Sequence, residues 1–366
     1  MQIRADDAAD LAEGATLLGS GGGGAAAAMT AVLRHALRLH GPVPLIHAAD
    51  LDPDAWVVPV GAIGAISVMV ERPPSGTEFA AAVRALERHL GIEAVAVHGL
   101  ETGGINALLA VATAAWLGLP LVDADGMGRA FPRLDQTVFT LAGLPTAPIA
   151  LADPSGTEML ITRADGAALE RLARTVLPAL GGWAASAQCA MRAETSRRHA
   201  LPGTFSRALE FGRALGRARH DPAERDRMLE YAHARRLGTG TVLEVRQRGR
   251  TSVTGSVTVE HAADGRTLRL EMADEYLLAL DEGVVTARVP EIIAVLHART
   301  WRHVSTEEVA AGQHVDILAL PAPAALGTPE ADRLMGPTAF GLDMPDEAAR
   351  GDGHGTGAPG HLTETR

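Results

Sequence analysis

From Gly103 to Val122 the chain runs twenty residues without a charge, GGINALLAVATAAWLGLPLV, between Glu101 and Asp123. That length approaches the roughly 20 residues of a membrane span, yet the run holds Asn106, Thr113 and Pro120 and breaks at Gly118-Leu119-Pro120. It therefore predicts a buried helix followed by a short buried strand. A helix that is apolar all round needs protein on every side, so the fold must have layers. The neighbouring segments supply them. VPLIHA (43–48), WVVPVGAIGAISVMV (56–70) and IEAVAV (92–97) read as buried strands, and EFAAAVRALERHL (78–90) as an amphipathic helix. Strand and helix alternate out to about Leu151, which predicts right-handed crossovers and a mostly parallel sheet covered on both faces.

After Asp153-Pro154-Ser155-Gly156 the pattern changes. Helices are expected at 167–180, 206–219 and 222–237. From Gly238 onward short apolar runs separated by Gly, Asp or Pro predict a β-rich second domain, either a small barrel or a sandwich. The boundaries so drawn are 1–155, 156–345 and a tail, 346–366, too poor in apolar residues to pack.

Composition narrows the function. A net charge of −11 is not that of a nucleic-acid binder, and 3% aromatic residues leave few stacking platforms. The single Cys189 cannot make an internal disulfide, which points to a reducing compartment, the cytoplasm by default; the acidic first dozen residues carry no secretory signal. No membrane partner is expected, and a homo-oligomer is compatible with the composition.

Three segments have the residue types of a site. Gly19-Ser20-Gly21-Gly22-Gly23-Gly24 opens an Ala-rich helix, so backbone N–H groups and a helix start favour an anion or oxyanion, or the glycines admit a close crossing. The run fits G-x-G-x-x-G literally. However, a helical segment precedes it, the next acid is Asp50 and no Lys-Ser/Thr follows, so no nucleotide cofactor is expected. A strand immediately before Gly19 would reopen that reading. His98-Gly99-Leu100-Glu101-Thr102-Gly103-Gly104-Ile105-Asn106 follows a strand end, where α/β sheets bind ligands. Asp123-Ala124-Asp125-Gly126-Met127-Gly128-Arg129-Ala130-Phe131-Pro132 places two acids where a loop can turn both into one cavity, as metal ligands or as a general acid/base pair, with Arg129 as counter-ion or anion binder. Whether a divalent metal is held stays open.

LGSGGGG (18–24), ETGGINALLAVATAAWLGLPLVDADGMGRAFPRL (101–134), GTFSRALEFGRAL (203–215) and VPEIIAVLHARTWRHVSTEEVAAGQHVDILALPAP (289–323) together resemble the S-methyl-thiohydantoin desulfurase-like family, in order across about residues 8 to 345. The resemblance implies a three-layer α/β/α N-terminal domain and a C-terminal β-barrel-like domain with flanking helices. It implies hydrolysis of a small five-membered cyclic urea or thiourea: water adds at the ring carbon and a thiol leaves. On it, Asp123, Asp125 and Glu101 would be the catalytic carboxylates. Gly21, Gly22, Gly23, Gly24, His98, Gly103, Asn106 and Arg129 would bind substrate. An alternative is a non-catalytic, ligand-binding or accessory subunit beside a hydantoinase/oxoprolinase-type partner. One stretch departs from the family pattern: EMADEYLLALDEG (271–283) has Ala273-Asp274-Glu275-Tyr276 where the family is more polar, with Glu275 the retained carboxylate. If that loop touches substrate, ring specificity changes with it.

Overall fold

The computed structural model describes residues 1–24, 26–247 and 254–344, so the tail expected at 346–366 lies outside the described residues. The first half alternates as its pattern requires: β1 (Gln2–Ile3), α1 (Ala8–Leu18), α2 (Ala26–His40), β2 (Val43–Ile46), β3 (Trp56–Gly64), α3 (Ile66–Glu71), α4 (Thr77–Leu90), β4 (Ala94–Gly99), α5 (Ile105–Leu117), β5 (Leu121–Val122) and β6 (Ala124–Asp125). The charge-free run is α5 plus β5. Every residue of α5 from Ile105 to Ala115 is buried, with α2, α1 and the sheet packed around it. No helix among the described residues is long and apolar enough to cross a membrane.

The strands order β1-β2-β5-β4-β3 and then β9-β7-β8, where β7 is Ile149–Ala152, β8 Glu158–Ile161 and β9 Trp183–Gln188. Pairing is parallel along β2-β5-β4-β3, as the crossovers predict. The extension through β9, β7 and β8 is antiparallel. Thus β9, drawn from well past residue 155, lies between β3 and β7, and segments on either side of the expected boundary share one sheet. One apolar cluster joins α1, α2, α4 and α5 to one face of the sheet, and a second joins the other face to the helices Gly166–Val176 and Pro329–Met335.

One segment differs from its sequence pattern. Residues 56–70 read as continuous strand, but the strand ends at Gly64 and Ile66–Glu71 is helical. Gly64 has φ +123°, and a Cβ there would meet the Gly182 carbonyl oxygen at 2.3 Å, so the chain turns where only glycine fits. Apolar content alone does not distinguish a buried strand from a short helix.

The second half forms a seven-stranded antiparallel sheet in the order Val284–Arg288, Tyr276–Asp281, Thr267–Met272, Gly255–His261, Arg235–Arg246, His314–Leu320, Ile292–His297. It curls into a half-barrel around Val242, Val257, Leu270, Tyr276, Val295 and Ile317. The glycine bend ties the two halves together. Tyr276 N–H donates to the Ser20 carbonyl at 2.7 Å, Ile293 N–H to the Ser20 hydroxyl at 3.0 Å, and Thr306 N–H to the Gly21 carbonyl at 3.1 Å.

Candidate active site

A cavity of about 790 Å³ opens between the halves, within the size range of small-molecule sites. Its lining includes Gly21 to Gly24, Glu101, Asn106, Ile66 and Glu275. All three predicted segments reach it, the third through Met127, Ala130, Phe131 and Pro132 and not through its acids.

The glycine bend is a close-approach device. Gly104 has φ +65°, and a Cβ on it would lie 2.0 Å from the Gly23 carbonyl oxygen, the acceptor of the Ile105 N–H at 2.8 Å. The bend thus rests directly on the start of α5. A Cβ on Gly22 would meet the Asp274 carbonyl oxygen at 2.6 Å and the Glu275 side chain at 2.7 Å. Among the described residues the Gly23 and Gly24 N–H groups have no acceptor, and both residues line the cavity ahead of α2. The preceding element is α1, not a strand, so the bend is not the first turn of a dinucleotide-binding βαβ unit.

Glu101 is 6% exposed and held on both oxygens. Asn106 Nδ2 donates to its Oε1 at 2.5 Å, and Phe131 N–H to its Oε2 at 3.3 Å. The Asn106 carbonyl oxygen accepts from Ala62 N–H at 2.7 Å, which fixes the amide so that its NH₂ faces the carboxylate. Burial pushes the Glu101 carboxyl up to about 7, against the opposing hydrogen bonds from Asn106 and Phe131. Glu275 is 3% exposed, its Oε2 has no hydrogen-bond partner, and burial pushes it up to about 8, with Asp274 and Glu101 adding to the rise and Arg129 opposing it. Two carboxyls that titrate near neutrality on one cavity are an acid/base arrangement.

Arg129 is fully buried and does not line the cavity. It donates through Nη1 to the Glu291 carbonyl at 2.5 Å and through Nε to the Ala130 carbonyl at 3.1 Å, and it stacks 5.1 Å over the Phe131 ring. Burial lowers its pKa to about 10 while the fields of Glu275 and Glu101 hold it charged. Its place is that of a counter-ion behind the two glutamates.

The acidic pair does not turn into the cavity together, which corrects the expectation for Asp123 and Asp125. Asp123 Oδ1 accepts from Phe205 N–H at 3.0 Å and Ser206 N–H at 3.1 Å, at the start of the helix Thr204–Ala218. Asp125 is 0% exposed and accepts from Thr102 N–H at 2.6 Å and Gly128 N–H at 3.0 Å. Orphan backbone donors at a helix start and in a tight loop claim both carboxylates. Burial raises Asp125 to about 6 against those hydrogen bonds. His98 does not reach the cavity either: it is fully buried, its Nδ1 lies 2.8 Å from the Gly99 carbonyl and its Nε2 3.0 Å from the Ser196 hydroxyl, and burial lowers it to about 4. Gly103 serves packing, since a Cβ there would strike Ala130 N at 2.2 Å.

The residues not singled out as site candidates include Glu275 and the α3 segment. Glu275 had a signal, being the one acid kept in the divergent loop, and Ala273, Asp274 and Glu275 do line the cavity. No sequence signal marked Ile66 and Met69. Among the described residues no three His, Cys, Asp or Glu side chains gather as a metal-binding group.

Comparison with known proteins agrees with this architecture. The family model described as S-Me-THD-like, N-terminal domain, matches residues 6–163, and the one described as S-Me-THD-like, C-terminal domain, matches residues 164–348. The crystal structure of a protein from Chromobacterium violaceum superposes with a TM-score of 0.77 at 26% identity, over 96% of this chain and 97% of that one. No curated protein matches the chain.

Proposed function

The chain belongs to the S-Me-THD-like family, and on that premise we propose that it is a hydrolase of five-membered cyclic ureas and thioureas, taking an S-methyl-thiohydantoin-type ring to the hydantoin with loss of methanethiol. The observation that carries the reading is the meeting of Glu101, Glu275 and the unpartnered N–H groups of the glycine bend on one cavity.

Glu101, at about 7, is the base, and Glu275, at about 8, is the acid that still holds its proton at neutral pH. Water loses a proton to Glu101 as its oxygen bonds to the ring carbon between the two nitrogens. The C=N electron pair moves onto the ring nitrogen, where the Gly23 and Gly24 N–H groups and the start of α2 stabilise the developing charge. Collapse breaks the C–S bond, and the departing thiolate takes the proton of Glu275. The hydroxyl proton shifts to ring nitrogen, leaving the carbonyl of the hydantoin, and exchange with solvent resets both carboxyls.

The test is direct. Purified protein is incubated with an S-methyl-thiohydantoin and the released thiol is measured. Glu101→Gln lowers kcat by roughly 10²–10⁴, the usual contribution of general base catalysis. Full turnover by that variant overturns the assignment. An inert chain that gains activity with a stoichiometric hydantoinase/oxoprolinase-type partner replaces the reading with that of an accessory subunit.

A further inference from the structure

We propose that Asp125 is a positioning residue that sets Glu101 for reaction while never touching substrate; this rests on the reading of Glu101 as base. Asp125 ends β6, which pairs with Leu201–Pro202. Its Oδ2 accepts from Thr102 N–H at 2.6 Å, the peptide group immediately after Glu101. Both of its oxygens accept from Gly128 N–H at 3.0 Å, in the loop that delivers Arg129. The Gly126 N–H donates to the Leu100 carbonyl at 3.0 Å, closing the same bracket from the other side. One carboxylate thus links the residue after the base to the residue before the buried counter-ion.

An asparagine would serve an ordinary turn at Asp125-Gly126 equally well, because such turns need one acceptor. Here Oδ2 accepts from both backbone segments and Oδ1 lies 3.0 Å from the same Gly128 N–H in a site without solvent, so an amide in this place would set its NH₂ against that donor, and a carboxylate, which has no donor, fits. The charged groups whose fields couple to Asp125 are Glu101 and Arg207, the latter on the helix Thr204–Ala218. When ionised, Asp125 makes the neighbouring Glu101 carboxyl hold its proton more tightly, so Asp125 sets its place and contributes to its basicity.

Two variants and one spectroscopic readout test this. Asp125→Ala removes the bracket, with kcat expected to fall roughly 10- to 100-fold and KM to stay within about threefold, because a small misplacement of a catalytic group acts on the reacting step. Asp125→Asn keeps an oxygen for Thr102 N–H but not the charge; it recovers part of kcat. The titration midpoint of the Glu101 carboxyl, followed by isotope-edited infrared spectroscopy, moves to lower pH in this variant. That measurement needs no substrate. Wild-type kcat in a folded Asp125→Ala protein, or an unmoved Glu101 midpoint in Asp125→Asn, overturns the proposal; if Asp125→Ala does not fold, the Asp125→Asn midpoint decides alone. Full turnover by Glu101→Gln strikes the assignment of the base, whereas an inactive Glu101→Gln beside a fully active Asp125→Ala strikes only the positioning role.

Discussion

Replacing Glu275 by glutamine should stabilise the protein, and by an amount that depends on pH. The Glu275 carboxyl is buried with one oxygen unpartnered, and its pKa rises from the ordinary 4.5 to about 8. Between those values the folded chain keeps a proton that the unfolded chain releases. Stability is therefore full at pH values below the ordinary carboxylate range and falls as the pH climbs through about 8. At about 1.4 kcal/mol per pH unit, the complete penalty is roughly 4–5 kcal/mol, an upper bound that the neighbouring Arg129 charge already reduces. The Gln variant carries no such penalty. Urea unfolding of both proteins from pH 5 to pH 9 measures it: the variant and wild type should be closely matched near pH 5, and the variant should gain roughly 2–4 kcal/mol by pH 9. A stability difference that is the same at every pH refutes the placement of an ionisable, solvent-excluded carboxyl at this position.

The catalytic reading carries its own pH signature. With the base at about 7 and the acid at about 8, kcat/KM follows a narrow bell centred between them, falling about tenfold per unit on either side; a plateau from pH 5 to 9 excludes the pair. Asp123→Ala removes the acceptor for Phe205 and Ser206, so it should destabilise the fold by about 1–2 kcal/mol while turnover per folded molecule stays at the wild-type level. Gly22→Ala forces a methyl group into the Asp274 carbonyl and Glu275; it should lose thermal stability, by about 1–3 kcal/mol, and turnover together, measured by calorimetry and thiol release. Asn106→Leu leaves the Glu101 Oε1 and the Ala62 N–H without partners, and the low-pH limb of the rate profile should move upward as the carboxylate loses its donor.

Much of the architecture was legible along the chain, because layer and period are local properties. The breaks and polar residues of the uncharged run favoured a buried helix and strand over a span, and the crossovers around it predicted the parallel core β2-β5-β4-β3. Gly19 to Gly24, Glu101 and Asn106 stood out by residue type, and the cavity gathers Gly21 to Gly24, Glu101 and Asn106. What a side chain faces is not local. Asp123 and Asp125 carry the most site-like spacing in the sequence, yet the orphan N–H groups of a helix more than eighty residues later and of the Glu101 turn take up their oxygens. Glu275 lies more than 170 residues from Glu101, and nothing short of the packed half-barrel brings it to the same cavity. Periodicity and charge are carried by neighbours in the chain, and so the sequence alone determined most of the elements and the layering of the first half, though not the helix Ile66–Glu71 or the place of β9 in the sheet. Which carboxyl is dry, which is bonded and which meets the cavity depends on contacts between distant segments, and the tertiary structure alone decided it.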